Sequence, residues 1–130
     1  MTEKVPEKVA RKRILVAEDD DAIATLLVRT LSIDHEVTLA RNGPEALSLA
    51  TKLRPDLLVF DIMMPGMDGL RLSRLVRKVE GLAKIPIVFV TAKDRPADVI
   101  QGIQHGARHY ITKPFKLSEV RDKIAKILKS

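Results

Sequence analysis

The sequence predicts a doubly wound α/β domain, a twisted parallel sheet covered by helices on both faces. Three observations predict it. Short apolar runs rich in branched residues read as strands buried on both faces. Stretches with apolar residues at helical spacing lie between them. The two patterns alternate five times, and right-handed strand–helix–strand crossovers make the strands parallel.

The first strand is 14–17 (ILVA), followed by a helix in which Ile23, Leu26, Leu27, Thr30 and Leu31 share one face. The second strand, 37–40 (VTLA), leads to Asn42-Gly43-Pro44, which opens a helix because proline suits the first turn. Ala46, Leu49, Ala50 and Leu53 form its apolar stripe. Pro55 stands beside the third strand, 57–60 (LLVF), and the third helix uses Leu72, Leu75, Val76 and Val79, with Gly81 near its end. Pro86 stands beside the fourth strand, 87–90 (IVFV). A shorter helical pattern follows at Val99, Ile100 and Ile103, thinned by Gly102 and Gly106. The fifth strand, 109–112 (HYIT), is the weakest, and the last helix uses Leu117, Val120, Ile124, Ile127 and Leu128, with Ser118 as its candidate cap. Residues 1–12 carry no period and include Pro6, so they are expected to form a flexible basic leader to a domain spanning 13–130.

The chain of 130 residues suits one domain, and its 45% hydrophobic and 31% charged content is that of an ordinary globule. No apolar run approaches the ~18–20 residues of a membrane span. The absence of cysteine excludes disulfides, thiolate metal sites and thiol nucleophiles, and the first dozen residues lack the apolar core of a secretory signal. A cytoplasmic protein is expected. The net charge of +6 is concentrated at the ends: residues 1–13 hold five basic and two acidic side chains, and residues 116–130 hold five and two. Against that background Glu18, Asp19, Asp20 and Asp21 form a run of four acids.

In such sheets ligands bind outside the carboxyl ends of the strands. Strand one is followed by the four acids; strand three ends at Asp61, strand four at Thr91-Ala92-Lys93, and strand five at Thr112-Lys113-Pro114. Converging carboxylates repel one another unless a cation intervenes, and oxygen ligands without nearby His or Cys suit Mg²⁺. Asp20 and Asp21 are read equally well as caps of the first helix; Asp61 is not explained that way. It is expected to stand exposed but rigidly held before the Gly/Pro loop 62–69 (IMMPGMDG), where a carboxylate beside a divalent cation can act as a nucleophile toward a phosphoryl group. Lys113 supplies a point charge for a phosphoryl oxygen and Thr91 a hydroxyl donor.

ILVAEDD, DLLVFDIMMPGMDG, IPIVFVTAK and GARHYITKPF, in that order and separation, resemble the receiver (CheY-like) domain of two-component response regulators over nearly all of 13–130. The resemblance implies a flavodoxin-like (βα)5 fold with strand order 2-1-3-4-5. It makes Asp61 the phosphoacceptor, and Glu18 and Asp19 the acidic pair that holds Mg²⁺ with it, joined by the Met63 backbone carbonyl. Asp20 falls one position beyond that pair. Thr91 resembles the switch hydroxyl, Lys113 the phosphoryl-contacting lysine, Tyr110 the aromatic that changes rotamer, and Lys113-Pro114 the family's cis peptide. The donor is then the phosphohistidine of a sensor histidine kinase or a phosphotransfer protein. The output is a change at the face formed by the fourth helix, fifth strand and fifth helix, read by a downstream protein or by an output domain. The domain would be a switch and not a turnover enzyme, catalysing only its own phosphorylation and dephosphorylation.

The remaining candidates have plainer readings. His35, His105 and His109 lack ligand spacing and read as surface or packing residues. Met63, Met64 and Met67 read as loop filling before a soft interaction surface, and Arg71, Arg74, Arg77 and Lys78 as a solvated helix face. No GxGxxG or GxxxxGK[ST] supports nucleotide binding. A nucleic-acid-binding protein is the rival suggested by the basic ends, but no helix-turn-helix, zinc spacing or stacking motif accompanies them. A constitutive docking module of the same fold, with Asp61 unphosphorylated, is the other. Neither direct nucleic-acid contact nor a membrane partner is expected.

Overall fold

The computed structural model describes residues 11–92 and 109–129. The elements run β1 (Arg13–Ala17), α1 (Asp21–Ser32), β2 (Glu36–Ala40), α2 (Gly43–Leu53), β3 (Leu57–Asp61), α3 (Gly69–Arg77), β4 (Ile87–Ala92), β5 (His109–Lys113) and α4 (Leu117–Lys129). The helical pattern around Val99, Ile100 and Ile103, with Gly102, His105 and Gly106, lies outside the described residues, as do Lys93 and most of the leader. α4 is therefore the last helix of the sequence pattern.

All strand pairs are parallel, in the order β2-β1-β3-β4-β5. Alternation along the strands sorts the apolar side chains into two layers. Leu15, Ala17, Leu58, Phe60, Ile87 and Phe89 face Ala46 and Ala50 of α2 and Leu72 and Val76 of α3. Ile14, Val16, Leu57, Val59, Val88, Val90 and Ile111 face Leu27 and Leu31 of α1 and Val120 and Ile124 of α4. Phe60 and Phe89, adjacent in register and fully buried, are the bulkiest members of the first layer, and truncating either to alanine costs about 3–5 kcal/mol. The expectation of strands buried on both faces holds for β1, β3 and β4 but not for β2 and β5. These are the sheet's edges, so helices cover them only in part.

Helix starts follow the polar residues before them. Asp20, Asn42 and Asp68 each accept a hydrogen bond from the backbone N–H three residues on, at 3.0, 2.8 and 2.8 Å, and so cap α1, α2 and α3. α2 ends in a left-handed residue, Arg54 (φ 52°), and the chain turns after α3 at Gly81 (φ 87°). Ser118 does not cap α4, because the helix already begins at Leu117; Glu119 instead accepts from the Lys116 N–H at 3.3 Å. Arg77 departs from the solvated face expected of it. Its guanidinium turns back and donates to the carbonyls of Ala83 (3.0 Å) and Ile85 (2.7 Å), tying α3 to the entry of β4. His35 is buried, as a packing residue should be, and its Nδ1 accepts from the Lys12 N–H at 3.3 Å. Burial holds its pKa below the ordinary value.

Candidate functional site

β1 pairs with β2 on one side and β3 on the other, and the helices that follow β1 and β3 pass to opposite faces of the sheet. The divergence opens a crevice at the carboxyl ends of these two central strands. Glu18 and Asp19 leave β1 there, and Asp61 ends β3.

The Glu18 N–H donates to the Ala40 carbonyl at 3.0 Å, extending the ladder by one residue and carrying the side chain fully inside. Its Oε2 accepts from the Asp20 N–H at 3.2 Å, while its Oε1 is buried without a hydrogen-bond partner. Asp19 is half-buried beside it. Asp61, expected to be exposed, is only 3% accessible, and Ile62 and Met64 after it are buried as well. One oxygen of each of Glu18, Asp19 and Asp61 lies within 4.8 Å of the others. The cation facing them is Lys113, whose Nζ stands 3.4 Å from Asp61 Oδ1 and 3.6 Å from Glu18 Oε1. Asp61 Oδ1 also accepts from the Met63 N–H at 3.3 Å.

This arrangement is electrostatically incomplete. Burial, together with the Asp61 carboxylate as hydrogen-bond partner and like charge, pushes the Glu18 carboxyl up to about 8; the Asp20 N–H and the Lys113 ammonium oppose the rise. A buried acceptor left unpaired costs on the order of 1–3 kcal/mol. Three gathered carboxylates, two of them paired with one ammonium and one of them with an orphaned inward oxygen, form a donor set that a hard divalent cation satisfies. Mg²⁺ therefore fits these residues.

Thr91 is buried in β4, one position beyond the Val90 that pairs with Asp61, and its hydroxyl is 3.4 Å from the Ala92 carbonyl. Tyr110 is half-buried in β5 opposite Phe89, with ring centroids 6.2 Å apart and planes at 30°. Burial raises its hydroxyl pKa. The Lys113–Pro114 peptide is cis. Of the acid run, only Glu18 and Asp19 join Asp61: Asp20 caps α1 and Asp21 pairs with Arg41. The methionines divide, with Met64 buried, Met67 half-buried and Met63 45% exposed at the crevice.

Two contributors escape sequence reasoning. Arg41 reaches the Asp19 carbonyl from the next turn, and a lone arginine after a strand carries no signal of that. Gly69 admits α3 to the backbone of Asp61; its place after Asp68 at a helix start was the available hint.

Residues 14–125 match the response regulator receiver domain family. Among similar proteins, the DNA-binding response regulator MtrA of Mycolicibacterium paratuberculosis is 40% identical over 111 residues, 85% of this chain and 48% of that protein. The transcriptional regulatory protein PhoP of Bacillus subtilis, named for alkaline phosphatase synthesis, is 39% identical over 119 residues, 91% of this chain and 49% of its own. The chain thus spans about half the length of these curated relatives. Among solved structures, the chemotaxis protein CheY4 of Vibrio cholerae superposes with a TM-score of 0.85 at 28% identity, over 91% of this chain and 99% of that one. The receiver domain of a sensor histidine kinase from Pseudomonas aeruginosa, with magnesium coordinated in its active-site cleft, gives 0.85 at 30% identity over 93% and 100%. A flavodoxin-like sheet and a match over most of its length make this chain a member of the response regulator receiver domain family of two-component systems.

Proposed function

We propose that the chain is a phosphorylation switch in which Asp61 accepts a phosphoryl group from the phosphohistidine of a sensor histidine kinase or a phosphotransfer protein. The observation that carries this reading is the Asp61 carboxylate, held at the crevice 3.4 Å from Lys113 Nζ and gathered with Glu18 and Asp19. An Asp61 oxygen forms the new bond to phosphorus as the bond from phosphorus to the donor imidazole breaks. The electron pair of that bond leaves on the imidazole nitrogen, which takes up a proton. Lys113 offsets charge on the phosphoryl oxygens, and Thr91 donates its hydroxyl to one of them. Glu18, Asp19, Asp61 and the Met63 carbonyl would hold Mg²⁺, which when bound supplies charge compensation for the phosphoryl group.

The added charge, ~−1.5 to −2 by analogy with other phosphorylated side chains, biases a two-state element through Thr91 and Lys113. Movement of Thr91 gives Tyr110 room to turn, which alters the surface around β5 and α4. The reader of that surface is a downstream protein or an output domain. The DNA binding in the name of MtrA belongs, in this reading, to the half of such a protein that this chain does not match. The role proposed is a cytoplasmic one; no described helix is long and apolar enough to cross a membrane.

Intact-protein mass after incubation with acetyl phosphate, with and without Mg²⁺, tests the proposal on the wild type and Asp61→Asn. Gain of one phosphoryl mass that needs Mg²⁺ and vanishes in the variant is expected. A wild type that gains no mass from small donors, and in which beryllofluoride does not shift the NMR signals of Thr91 and Tyr110, would instead indicate a constitutive docking module.

A further inference from the structure

We infer that Arg41 is a positioning residue for Asp19, setting the direction of this metal ligand from a turn that contributes no ligand; the inference rests on the proposed function. Arg41 follows β2, and its backbone is held firmly. Its N–H donates to Glu45 Oε1 at 2.7 Å, and the Glu45 N–H donates to Asn42 Oδ1 at 2.8 Å, so the start of α2 and the turn before it lock each other.

From that base the guanidinium crosses to the acidic turn. Nη2 donates to the Asp19 backbone carbonyl at 2.8 Å and pairs with the Asp21 carboxylate. The Asp19 side chain needs such help more than its partners do. Glu18 and Asp61 are fixed by burial and by ladder pairing, whereas Asp19 is only half-buried, and Asp20 beyond it is committed to the α1 cap. Holding the Asp19 carbonyl orients its peptide plane and hence the Cα–Cβ bond that carries the ligand carboxylate.

The same turn abuts the loop after Asp61 on its other flank, where a Cβ on Gly43 would lie 2.6 Å from Met67 Sδ. The turn 41–43 therefore braces both ligand-bearing loops. Exposed ion pairs contribute little to stability, so the effect of Arg41 is expected in ligand geometry and not in global folding.

Charge alone predicts the opposite sign, which makes the inference testable. Removing a cation near a metal site should tighten Mg²⁺ binding, and removing the Asp21 carboxylate should weaken it. Mg²⁺ is to be titrated into the wild type, Arg41→Ala and Asp21→Ala by calorimetry, with the amide shifts of Glu18, Asp19 and Asp20 followed by NMR. Partners of metal ligands typically change affinity ~10–100-fold, and the low end suits an exposed clamp. Arg41→Ala should bind Mg²⁺ about tenfold more weakly and shift the Asp19 and Asp20 amides in the metal-free protein, with melting in EDTA within about 2 °C of wild type. Asp21→Ala, which keeps the bond to the Asp19 carbonyl, should stay within about threefold. Arg41→Ala binding as tightly as wild type or tighter, or Asp21→Ala losing as much as Arg41→Ala, would overturn the inference. A wild type that bound no Mg²⁺ would overturn the proposed function itself.

Discussion

Gly69 is seated on the backbone of Asp61: a methyl group at its Cα would collide with the Asp61 carbonyl oxygen. Its N–H donates to the neighbouring Ile62 carbonyl at 2.9 Å, so the first turn of α3 rests directly on the end of β3. The glycine is needed for this approach and not for a special φ, since only Gly66 and Gly81 among the described glycines have positive φ. Gly69→Ala must therefore move α3 or Asp61. A loss of about 1–3 kcal/mol in urea denaturation is expected. Phosphoryl uptake should slow by about tenfold or more, because small misplacements of a reacting group are costly. Unchanged stability together with an unchanged rate of phosphorylation would show that the contact relaxes freely.

Asp61→Asn should make the metal-free protein more stable. The change removes one of three gathered carboxylates and offers an amide donor near the orphaned Glu18 Oε1. A gain of about 1–2 kcal/mol in EDTA is expected, with loss of phosphoryl acceptance. A variant less stable than wild type under those conditions would mean that Lys113 already balances the cluster.

Glu18 makes metal-free stability fall as pH rises. The folded chain keeps the Glu18 proton up to about pH 8, whereas the unfolded chain releases it near its ordinary 4.5. The folded state thus binds more protons between those values, and stability declines across that window by an amount on the order of a few kcal/mol. Mg²⁺ competes with the same proton, so its affinity should rise with pH toward 8. Glu18→Gln should flatten the EDTA stability profile from pH 5 to 8; a wild-type profile that rises over this range would contradict the assignment.

Arg77 closes the loop between α3 and β4 through carbonyls of Ala83 and Ile85. Arg77→Ala should cost about 1–3 kcal/mol, because those acceptors lose a charged donor. Arg71→Ala, on the exposed side of the same helix, serves as the control and should change stability by less than about 0.5 kcal/mol. Equal effects of the two substitutions in urea denaturation would return Arg77 to the solvated face.

Most of the fold was legible because strand and helix periods are local. The runs at 14–17, 57–60 and 87–90 lie within observed strands, and Asn42-Gly43-Pro44 opens α2 as its chemistry dictates. Ser118 was misread because a cap depends on where the first turn starts, and Leu117 already lies within it. The acid run illustrates the same limit more sharply. Four adjacent carboxylates look alike along the chain, yet each has a different fate: buried in the crevice, half-buried beside it, capping a helix, or paired with Arg41.

By itself the sequence determined the alternation of elements, and therefore the parallel sheet whose carboxyl ends gather Glu18, Asp19, Asp61, Thr91 and Lys113 on one edge. That follows from local periodicity and the handedness of crossovers, which need no knowledge of distant contacts. Only the tertiary structure decided that Asp61 is buried, that Glu18 carries an inward oxygen without a hydrogen bond and a raised pKa, that Arg41 donates to the Asp19 carbonyl, and that Gly69 lies against the Asp61 backbone. Burial and electrostatics depend on groups brought together across the chain, such as Lys113 and Glu18, and no local pattern encodes the distance between them.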